Sequence, residues 1–183
     1  LFNLDKKYKN CELFGFELLP SLIKIAKKNL PEHIKIYQVD INKKKFNFDK
    51  KFDIIIISGV ISIFDNYEKP LKNLLKILKK NGKIFIFNHF NQFDIDVYIK
   101  YRTRSKNHNI LQSGWNIHSI NGLKIFFKKY NKKMKVYKFT PEKPFKGKIS
   151  DPLRSWTFKN KNNENLITNG LSIIQDQYWL KFY

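Results

Sequence analysis

Two acidic residues, Glu17 and Asp40, stand where side chains at the end of a strand could bind a ligand. Glu17 follows an apolar run over residues 11–16 and comes just before a helix-like segment opened by Pro20. Nucleotide-binding α/β folds place an acid at this point, because a carboxylate can accept hydrogen bonds from two neighbouring ribose hydroxyls. Taken alone, Glu17 also fits a solvated turn residue. The second acid, Asp40, strengthens the binding interpretation.

A second candidate ligand-binding segment follows the most apolar run of the chain. Residues 52–57 include four consecutive isoleucines, which predicts a strand buried on both faces, as in a parallel sheet covered by helices. Ser58 and Gly59 come next, at the carboxyl edge where open α/β sheets bind ligands. Asp53 lies at the opposite end of this strand, so we expect its role to be structural.

The elements around these residues alternate between strand and helix. We expect strands over residues 11–16, 34–39, 52–57 and 83–87, and helices over residues 20–30 and 65–80. Asn81-Gly82 is expected to end the second helix. This alternation is typical of a doubly wound α/β sheet.

The second half of the chain is less regular. We expect a polar insertion over residues 88–116, a helix over 118–131, a strand over 134–139, a long proline-marked loop, and an antiparallel strand over 178–182. The length of 183 residues suits one domain. We divide it into a first part over residues 1–90, an insertion over 91–118 and a C-terminal part over 119–183.

The net charge of +21 does not by itself indicate a nucleic-acid partner. Of the 36 basic residues, only Arg102, Arg104 and Arg154 are arginines, and arginine is the usual residue for gripping phosphates in pairs of hydrogen bonds. Lysine is spread along the whole chain, which is the composition that we expect of a protein encoded by an AT-rich genome. We therefore expect a solvated lysine surface, whose charge would favour an anionic substrate through long-range attraction.

The compartment is predicted from cysteine use and hydropathy. Cys11 is the single cysteine, which fits the reducing cytoplasm, and no apolar run is long enough to span a bilayer. We also see no pattern typical of a signal peptide. The four histidines lack the spacing of a metal site, so we expect no metal.

Four segments resemble one enzyme family. Residues 15–28 resemble the second strand and following helix of class I S-adenosylmethionine-dependent methyltransferases. Residues 39–41 resemble the acidic motif after their third strand, residues 52–60 their fourth strand and cofactor-facing turn, and residues 74–87 their next helix, glycine turn and fifth strand. Each motif is loose alone, but their order and separations are those of the family.

The resemblance implies a Rossmann-like doubly wound sheet of the class I methyltransferase type, with an antiparallel C-terminal strand. The family's glycine-rich loop, which follows its first strand, does not occur in this sequence. We therefore expect the chain to be truncated at its N-terminus and to lack that first strand.

The resemblance also implies contacts with S-adenosylmethionine. Glu17 would accept hydrogen bonds from the ribose hydroxyls, and Leu18 would lie against one face of the adenine. Asp40 would accept from the adenine amino group, and the Ile41 backbone N–H would meet a ring nitrogen.

The implied reaction is methyl transfer to an oxygen or nitrogen of a small-molecule acceptor. The sulfonium is already activated, so a general base is useful only for a hydroxyl or a protonated amine. His89, after the fifth strand, is the candidate base, although it also fits a polar residue at a strand end. Ser58 and Gly59 would border the cofactor.

Aromatic and basic residues of the insertion are candidates to cover the acceptor. Such side chains could hold a sugar, a carboxylate or a phosphate, or could simply pack a loop over the sheet. The residues concerned are Tyr98, Tyr101, Arg102, Arg104 and Trp115. Residues 151–156 are a further candidate segment.

Three alternatives stay open on the sequence. A nicotinamide-dependent oxidoreductase of Rossmann type also ends its second strand with a ribose-binding acid. An RNA or DNA methyltransferase is suggested by the charge, although Ser58-Gly59-Val60-Ile61 lacks the proline pair of enzymes that methylate base amino groups. A non-enzymatic remnant of the fold is the third.

Overall fold

Short apolar runs separated by lysine-rich turns produce separate sheets in the structure, a computed structural model that describes residues 1–103 and 110–183. The chain divides into two compact units. The first unit comprises Leu1–Asp49 and Lys69–Leu74, and the second comprises Lys50–Glu68 and Leu75–Tyr183. The three-part division expected above stays a prediction.

The first unit contains a parallel pair of strands and the helix that connects them. Its elements are α1 (Phe2–Lys7), β1 (Phe14–Glu17), α2 (Pro20–Asn29) and β2 (Lys35–Gln38). β1 and β2 pair in register, with Glu17 opposite Gln38. Pro20 occupies the first turn of α2, where its fixed backbone angle favours the helix and its missing N–H costs nothing.

An aromatic cluster packs the first unit's sheet. The ring of Phe48 lies 4.7 Å from that of Phe16 and 5.2 Å from that of Tyr37, both in edge-on geometry. Phe48 therefore joins the loop after β2 to both strands of the pair.

The second unit is built on a larger sheet. Its main strands are β3 (Phe52–Ser58), β4 (Leu78–Asn91), β8 (Met134–Phe139) and β11 (Gln177–Phe182), in the spatial order β3-β4-β11-β8. β3 is parallel to β4, whereas β11 is antiparallel to both β4 and β8. The antiparallel C-terminal strand is therefore confirmed, and it lies inside the sheet rather than at its edge.

The other elements of the chain are short. Their bounds are α3 (Glu68–Lys76), β5 (Lys100–Tyr101), β6 (Gln112–Ser113), β7 (His118–Ser119), α4 (Ile120–Lys128), β9 (Trp156–Lys159) and β10 (Asn165–Thr168). In addition, a 3₁₀ helix, Ile61–Ile63, follows β3, and β7 pairs with the end of β4.

The core of the second unit forms where α4 packs on the sheet. Leu123, Phe126 and Phe127 of α4 are buried, as are Leu180 and Phe182 of β11. The rings of Phe127 and Phe182 stack with centroids 3.7 Å apart. Burial of such large side chains is the main stabilising contribution to this unit.

The expectation that the isoleucine strand is buried on both faces is wrong. Ile54 and Ile56 are 54% and 47% exposed, whereas Ile57 is buried. Successive strand residues point to opposite faces, so β3 is covered on the face of Ile57 and open on the other. Among the described residues β3 pairs only with β4, which leaves its second edge unpaired.

The predicted helix over residues 65–80 is too long. α3 ends at Lys76, and Asn81-Gly82 lies within β4 rather than at a helix end. A Cβ on Gly82 would lie 3.0 Å from the carbonyl oxygen of Asp53. The glycine therefore serves the close approach of β4 to β3, where the pairing register shifts.

Two further expectations for the second half need correction. His118 belongs to β7, and α4 begins at Ile120 with the Ser119 hydroxyl accepting a hydrogen bond from the Gly122 N–H. The loop with the prolines contains an antiparallel hairpin of β9 and β10 that the sequence pattern did not predict. In the described part of the chain, no helix is both long and apolar enough to cross a membrane.

Candidate functional site

Glu17 is the last residue of β1, and its carboxylate is held by the turn into α2. Oε1 accepts hydrogen bonds from the backbone N–H groups of Leu18 at 2.8 Å and Leu19 at 2.9 Å. Amides at the start of a helix have no partner within the helix, so an acid here is stabilised by the local backbone. The acid is thus fixed at the carboxyl end of the strand.

Leu18 follows with an open side chain. It is 51% exposed, and its carbonyl oxygen accepts a hydrogen bond from Gln38 Nε2 at 3.1 Å. Gln38 is the last residue of β2, so this bond ties the ends of the two parallel strands together. An apolar side chain presented at this edge is suited to contact the flat face of a ring.

Asp40 and Ile41 form the turn after β2. Asp40 Oδ1 accepts from the Asn42 N–H at 2.8 Å, which is an Asx turn. The Ile41 carbonyl accepts from Asn73 Nδ2 at 2.9 Å, and Asn73 also donates to the Lys43 carbonyl at 3.0 Å. Asn73 therefore holds the turn from two points.

Sequence reasoning missed Asn73. It is only 4% exposed within α3, between the buried Leu71 and Leu74. An asparagine on the buried side of an otherwise apolar helix is a signal that its amide has a specific partner. The partner, more than 30 residues away, cannot be read from the sequence.

Ser58 and Gly59 end β3 in the second unit. Ser58 pairs with Phe87 of β4, and the Gly59 N–H donates to the Phe87 carbonyl at 2.9 Å. Gly59 has a φ of +70° with open space around its missing Cβ. The chain therefore turns away from the sheet in a left-handed conformation that favours glycine.

His89 lies near the end of β4 and is only 3% exposed. Its Nε2 donates to the Trp115 carbonyl at 3.1 Å, and the two rings stack 5.7 Å apart. Burial lowers the pKa of His89, against the smaller opposing effect of the Trp115 carbonyl. The imidazole is thus neutral at neutral pH and covered by Trp115. Its role as a general base stays a prediction.

The carboxylate of Asp65 holds residues of the insertion in place within the second unit. Asp65 accepts hydrogen bonds from Lys100 Nζ at 2.6 Å, Ser113 Oγ at 2.5 Å and Asn116 Nδ2 at 2.9 Å. The Lys100 ammonium, with these two further donors, holds the pKa of Asp65 well below its usual range. Trp115 next to Asn116 has a φ of 61°, so this segment is held in an uncommon conformation.

His118 is a second residue that sequence reasoning undervalued. Its side chain is 1% exposed, its Nε2 donates to the Phe64 carbonyl at 3.0 Å, and its Nδ1 lies 3.9 Å from Asp96 Oδ1. Burial lowers the pKa of His118, partly offset by Asp96. Two other candidates from the sequence, Arg104 and His108, lie outside the described residues.

The structure brings the candidate residues together within each unit. Glu17 and Leu18 lie at the end of β1, and Asp40 and Ile41 follow β2, its parallel neighbour. In the second unit, Ser58 and Gly59 end β3, and His89 lies near the end of the neighbouring β4. Within residues 1–103 and 110–183, no three His, Cys, Asp or Glu side chains are grouped to hold a metal.

A family model described as a methyltransferase domain matches residues 1–142. The chain belongs to this methyltransferase family. The resemblance found in the sequence is therefore confirmed, and the alternative of a nicotinamide-dependent oxidoreductase is excluded. No curated protein matches the sequence.

Solved structures share the fold of this methyltransferase. The DhpI–SAM–HEP complex has a TM-score of 0.61 at 8% identity, covering 94% of this chain and 68% of its own. The glycopeptide N-methyltransferase MtfA with sinefungin has a TM-score of 0.59 at 11% identity, covering 98% of this chain and 79% of its own. Another DhpI structure, with SAH, is covered over only 64% of its length. These likenesses confirm the Rossmann-like α/β fold of the methyltransferase.

Proposed function

We propose that the protein transfers a methyl group from S-adenosylmethionine to an oxygen or nitrogen of a small-molecule acceptor. The observation that carries this proposal is the position of Glu17 and Asp40, at or just after the ends of two strands that pair in parallel. Within the methyltransferase family matched by residues 1–142, two acids on one sheet edge suit the ribose and adenine of the cofactor.

The adenosine end of the cofactor is assigned to the first unit. Glu17 accepts from the ribose hydroxyls, and the exposed Leu18 contacts one face of the adenine. Asp40 accepts from the adenine amino group, while the Ile41 N–H donates to a ring nitrogen. In support, Asn73 holds the Ile41 carbonyl, which restrains the backbone of this turn.

Ser58 and Gly59 are assigned to the border of the cofactor in the second unit. Gly59 leaves open space at the position of a side chain, so a ligand can approach the backbone there. When bound, S-adenosylmethionine supplies an activated methyl group. The residues of this chain then need only position the acceptor and, for some acceptors, remove a proton.

A small-molecule acceptor is favoured over a nucleic acid. The segment after β3 lacks the proline pair expected in methyltransferases acting on base amino groups, and only three residues in the chain are arginine. Among the structural neighbours, MtfA is named as a glycopeptide N-methyltransferase. An anionic or sugar-like acceptor, an assignment to the cytoplasm and the covering role of Tyr98 and Arg102 stay predictions.

The role of Glu17 can be tested by calorimetric titration with S-adenosylmethionine. We expect Glu17→Ala to weaken binding about tenfold or more, since a hydrogen bond to a charged group contributes about 1.5–3 kcal/mol. Glu32→Ala is the matched control, because it removes an exposed acid of the same unit. Glu17→Gln separates the loss of the turn from the loss of the ribose contact. The amide oxygen of the glutamine can still accept from the Leu18 and Leu19 N–H groups, but the amide cannot accept from two hydroxyls as a carboxylate does.

The outcomes of this titration are distinct. Weaker binding in both Glu17 variants, with Glu32→Ala unchanged, supports the proposal. Equal affinity in Glu17→Ala and the unchanged protein contradicts the assignment of Glu17. No binding by the unchanged protein contradicts the proposed function and favours a non-enzymatic remnant of the fold.

A further inference from the structure

His118 carries a buried nitrogen without a partner. The carbonyl of Phe64 can only accept, so the neutral ring must carry its proton on Nε2, which leaves a lone pair on Nδ1. Nδ1 is buried, and none of the described residues forms a hydrogen bond with it. Leaving such an atom unpaired lowers the stability of the fold, so its position requires a reason.

Asp96 faces this nitrogen and is the accessible member of the pair. Its side chain is 30% exposed, and Oδ1 lies 3.9 Å from His118 Nδ1, too far for a hydrogen bond. Oδ1 also accepts from the Ser119 N–H at 2.6 Å. Both facing atoms are acceptors while His118 is neutral. If Nδ1 took up a proton, the two groups would become an imidazolium beside a carboxylate, which attract each other. His118 Nδ1 is therefore the atom of this pair that is suited to accept one proton.

Two tyrosines and a second carboxylate surround the pair, and the Tyr98 hydroxyl hydrogen-bonds to Asp96. Tyr67 and Tyr98 lie with their rings edge-on to His118, at 4.8 and 6.2 Å. Burial and then Asp96 raise the pKa of Tyr67 to about 12, so its hydroxyl keeps its proton. Asp65, which also acts on His118, is already paired with Lys100.

No lysine or arginine pairs with Asp96 among the described residues. His89, whose pKa is lowered by burial and by His118, is a buried neutral imidazole. Within the part of the chain that the structure describes, no fixed cation balances the negative charge of Asp96, although the net charge of the chain is +21.

The position of the pair fits an acceptor site. β7, which begins with His118, pairs in parallel with Phe90 and Asn91 at the end of β4. Phe64, the partner of Nε2, follows the 3₁₀ helix that comes after Gly59. The pair therefore lies at the carboxyl edge of the second unit's parallel strands, where open α/β sheets bind ligands. Tyr98, 53% exposed, adds an aromatic face of the kind that attracts cations.

We propose that Asp96 binds the protonated amine of the acceptor and that His118 receives the proton which this amine must lose before methylation. This inference rests on the proposed function and assigns N-methylation to it. One N–H bond of the ammonium breaks, and its electron pair stays on nitrogen as the nucleophile. The proton moves to the Asp96 carboxylate, and a rotation of that side chain that brings its protonated oxygen within hydrogen-bond distance passes it to His118 Nδ1. The neutral imidazole becomes an imidazolium and the total charge is unchanged.

The test uses ¹⁵N NMR of the histidine side chains with benzylamine as the probe, in the presence of S-adenosylhomocysteine. We expect benzylamine to shift the His118 signals toward the imidazolium form. Benzyl alcohol, which has the same ring and no charge, should leave them unchanged. Equal shifts with the alcohol, or no shift with benzylamine, would overturn the proposal.

Asp96→Asn and Asp94→Asn form the matched pair of variants. In Asp96→Asn the amide oxygen can still accept from the Ser119 N–H, so the fold is preserved while the charge is removed. Asp94 lies in the same segment and holds Ser119 and Asn121 without facing His118 Nδ1. We expect Asp96→Asn to weaken benzylamine binding about tenfold or more and to move the His118 titration to lower pH, because Asp96 raises the pKa of His118. Asp94→Asn should change neither.

Calorimetry with S-adenosylmethionine separates this proposal from the assignment of Glu17. Asp96→Asn should bind the cofactor as the unchanged protein does, whereas Glu17→Ala should not. Retained benzylamine binding in Asp96→Asn would overturn the amine site and leave the cofactor assignment standing. The rate of benzylamine methylation by the unchanged protein should rise with pH as His118 loses its proton and can act as acceptor. As a second variant, His118→Gln should keep benzylamine binding and lose this rise. A pH profile unchanged in this variant would refute the role of His118 as proton acceptor.

Discussion

The two units differ in how many of their side chains are buried. In the first unit, Ile34 is the one buried residue among residues 1–49, and the other buried side chains of this unit lie in its α3 segment, Lys69–Leu74. The second unit instead has a core of fully covered side chains such as Phe127, Leu180 and Phe182. Yet the first unit holds the residues proposed to bind the cofactor, Glu17 and Asp40. Motifs that bind a ligand need a fixed backbone turn, not a deep core, so recognisable sequence and tight packing occupy different parts of this protein.

The sharpest test of this difference is a pair of core truncations. We expect Phe127→Ala to lower the free energy of unfolding by about 3–5 kcal/mol, because it leaves a cavity against Phe182. Leu22→Ala in α2 should cost about 0.5 kcal/mol or less, since Leu22 is 44% exposed. Urea denaturation of both variants measures this contrast. A loss for Leu22→Ala as large as for Phe127→Ala would show that α2 is packed as tightly as the core of the second unit.

A smaller effect is expected at Asn73, the buried polar residue of the first unit. Asn73→Ala removes the two hydrogen bonds to the turn after β2, and we expect a loss of about 1–3 kcal/mol from the unpaired carbonyls. Hydrogen exchange should become faster over residues 40–43, and affinity for S-adenosylmethionine should fall.

Asn29→Ala is the control for Asn73, because the Asn29 amide is exposed and bonds only within its own helix, to the Ile25 carbonyl. Unchanged exchange over residues 40–43 in Asn73→Ala would mean that the turn is held by its own Asx geometry at Asp40.

The smallest effect concerns the turn after β3 in the second unit. Gly59→Ala places a side chain at a φ of +70°, which costs about 1–2 kcal/mol. Gly114→Ala is the control, because a Cβ there would make only ordinary contact with Tyr101, 3.6 Å away. Thermal unfolding of both variants compares backbone strain directly. A cost at Gly114 equal to that at Gly59 would argue that contacts, not the left-handed turn, decide this position.

The strands and α2 could be predicted because their signals are local. Apolar runs, Pro20 and the glycines mark β1, α2, β2 and β3 to within a few residues. The interpretation of Asn81-Gly82 was wrong because a glycine can end a helix or admit a neighbouring strand, and only the approach of Asp53 decides between them. The exposure of Ile54 and Ile56 depends on which face of β3 is covered by other elements. A run of isoleucines does not show which face that is.

The sequence predicted the candidate residues that follow the ends of strands. It did not predict those whose role depends on contacts with residues far away in the chain. The places of Glu17 and Asp40 follow from their position after β1 and β2. Asn73 and its carbonyl partner, like Asp96 and His118, are separated by more than 20 residues. Neither pair has a spacing that marks it, because folding alone brings its members together.

The interior position of β11 has a consequence for how this protein is made. β11 lies between β4 and β8, yet residues 177–182 are synthesised after every other strand of that sheet. Until they leave the ribosome, β4 and β8 cannot reach their native arrangement, and the edge of β4 beside Ile84 and Ile86 stays open to other strands. The sheet of the second unit can therefore be completed only once residues 177–182 have emerged, and a chain stopped short of β11 would expose an aggregation-prone strand edge.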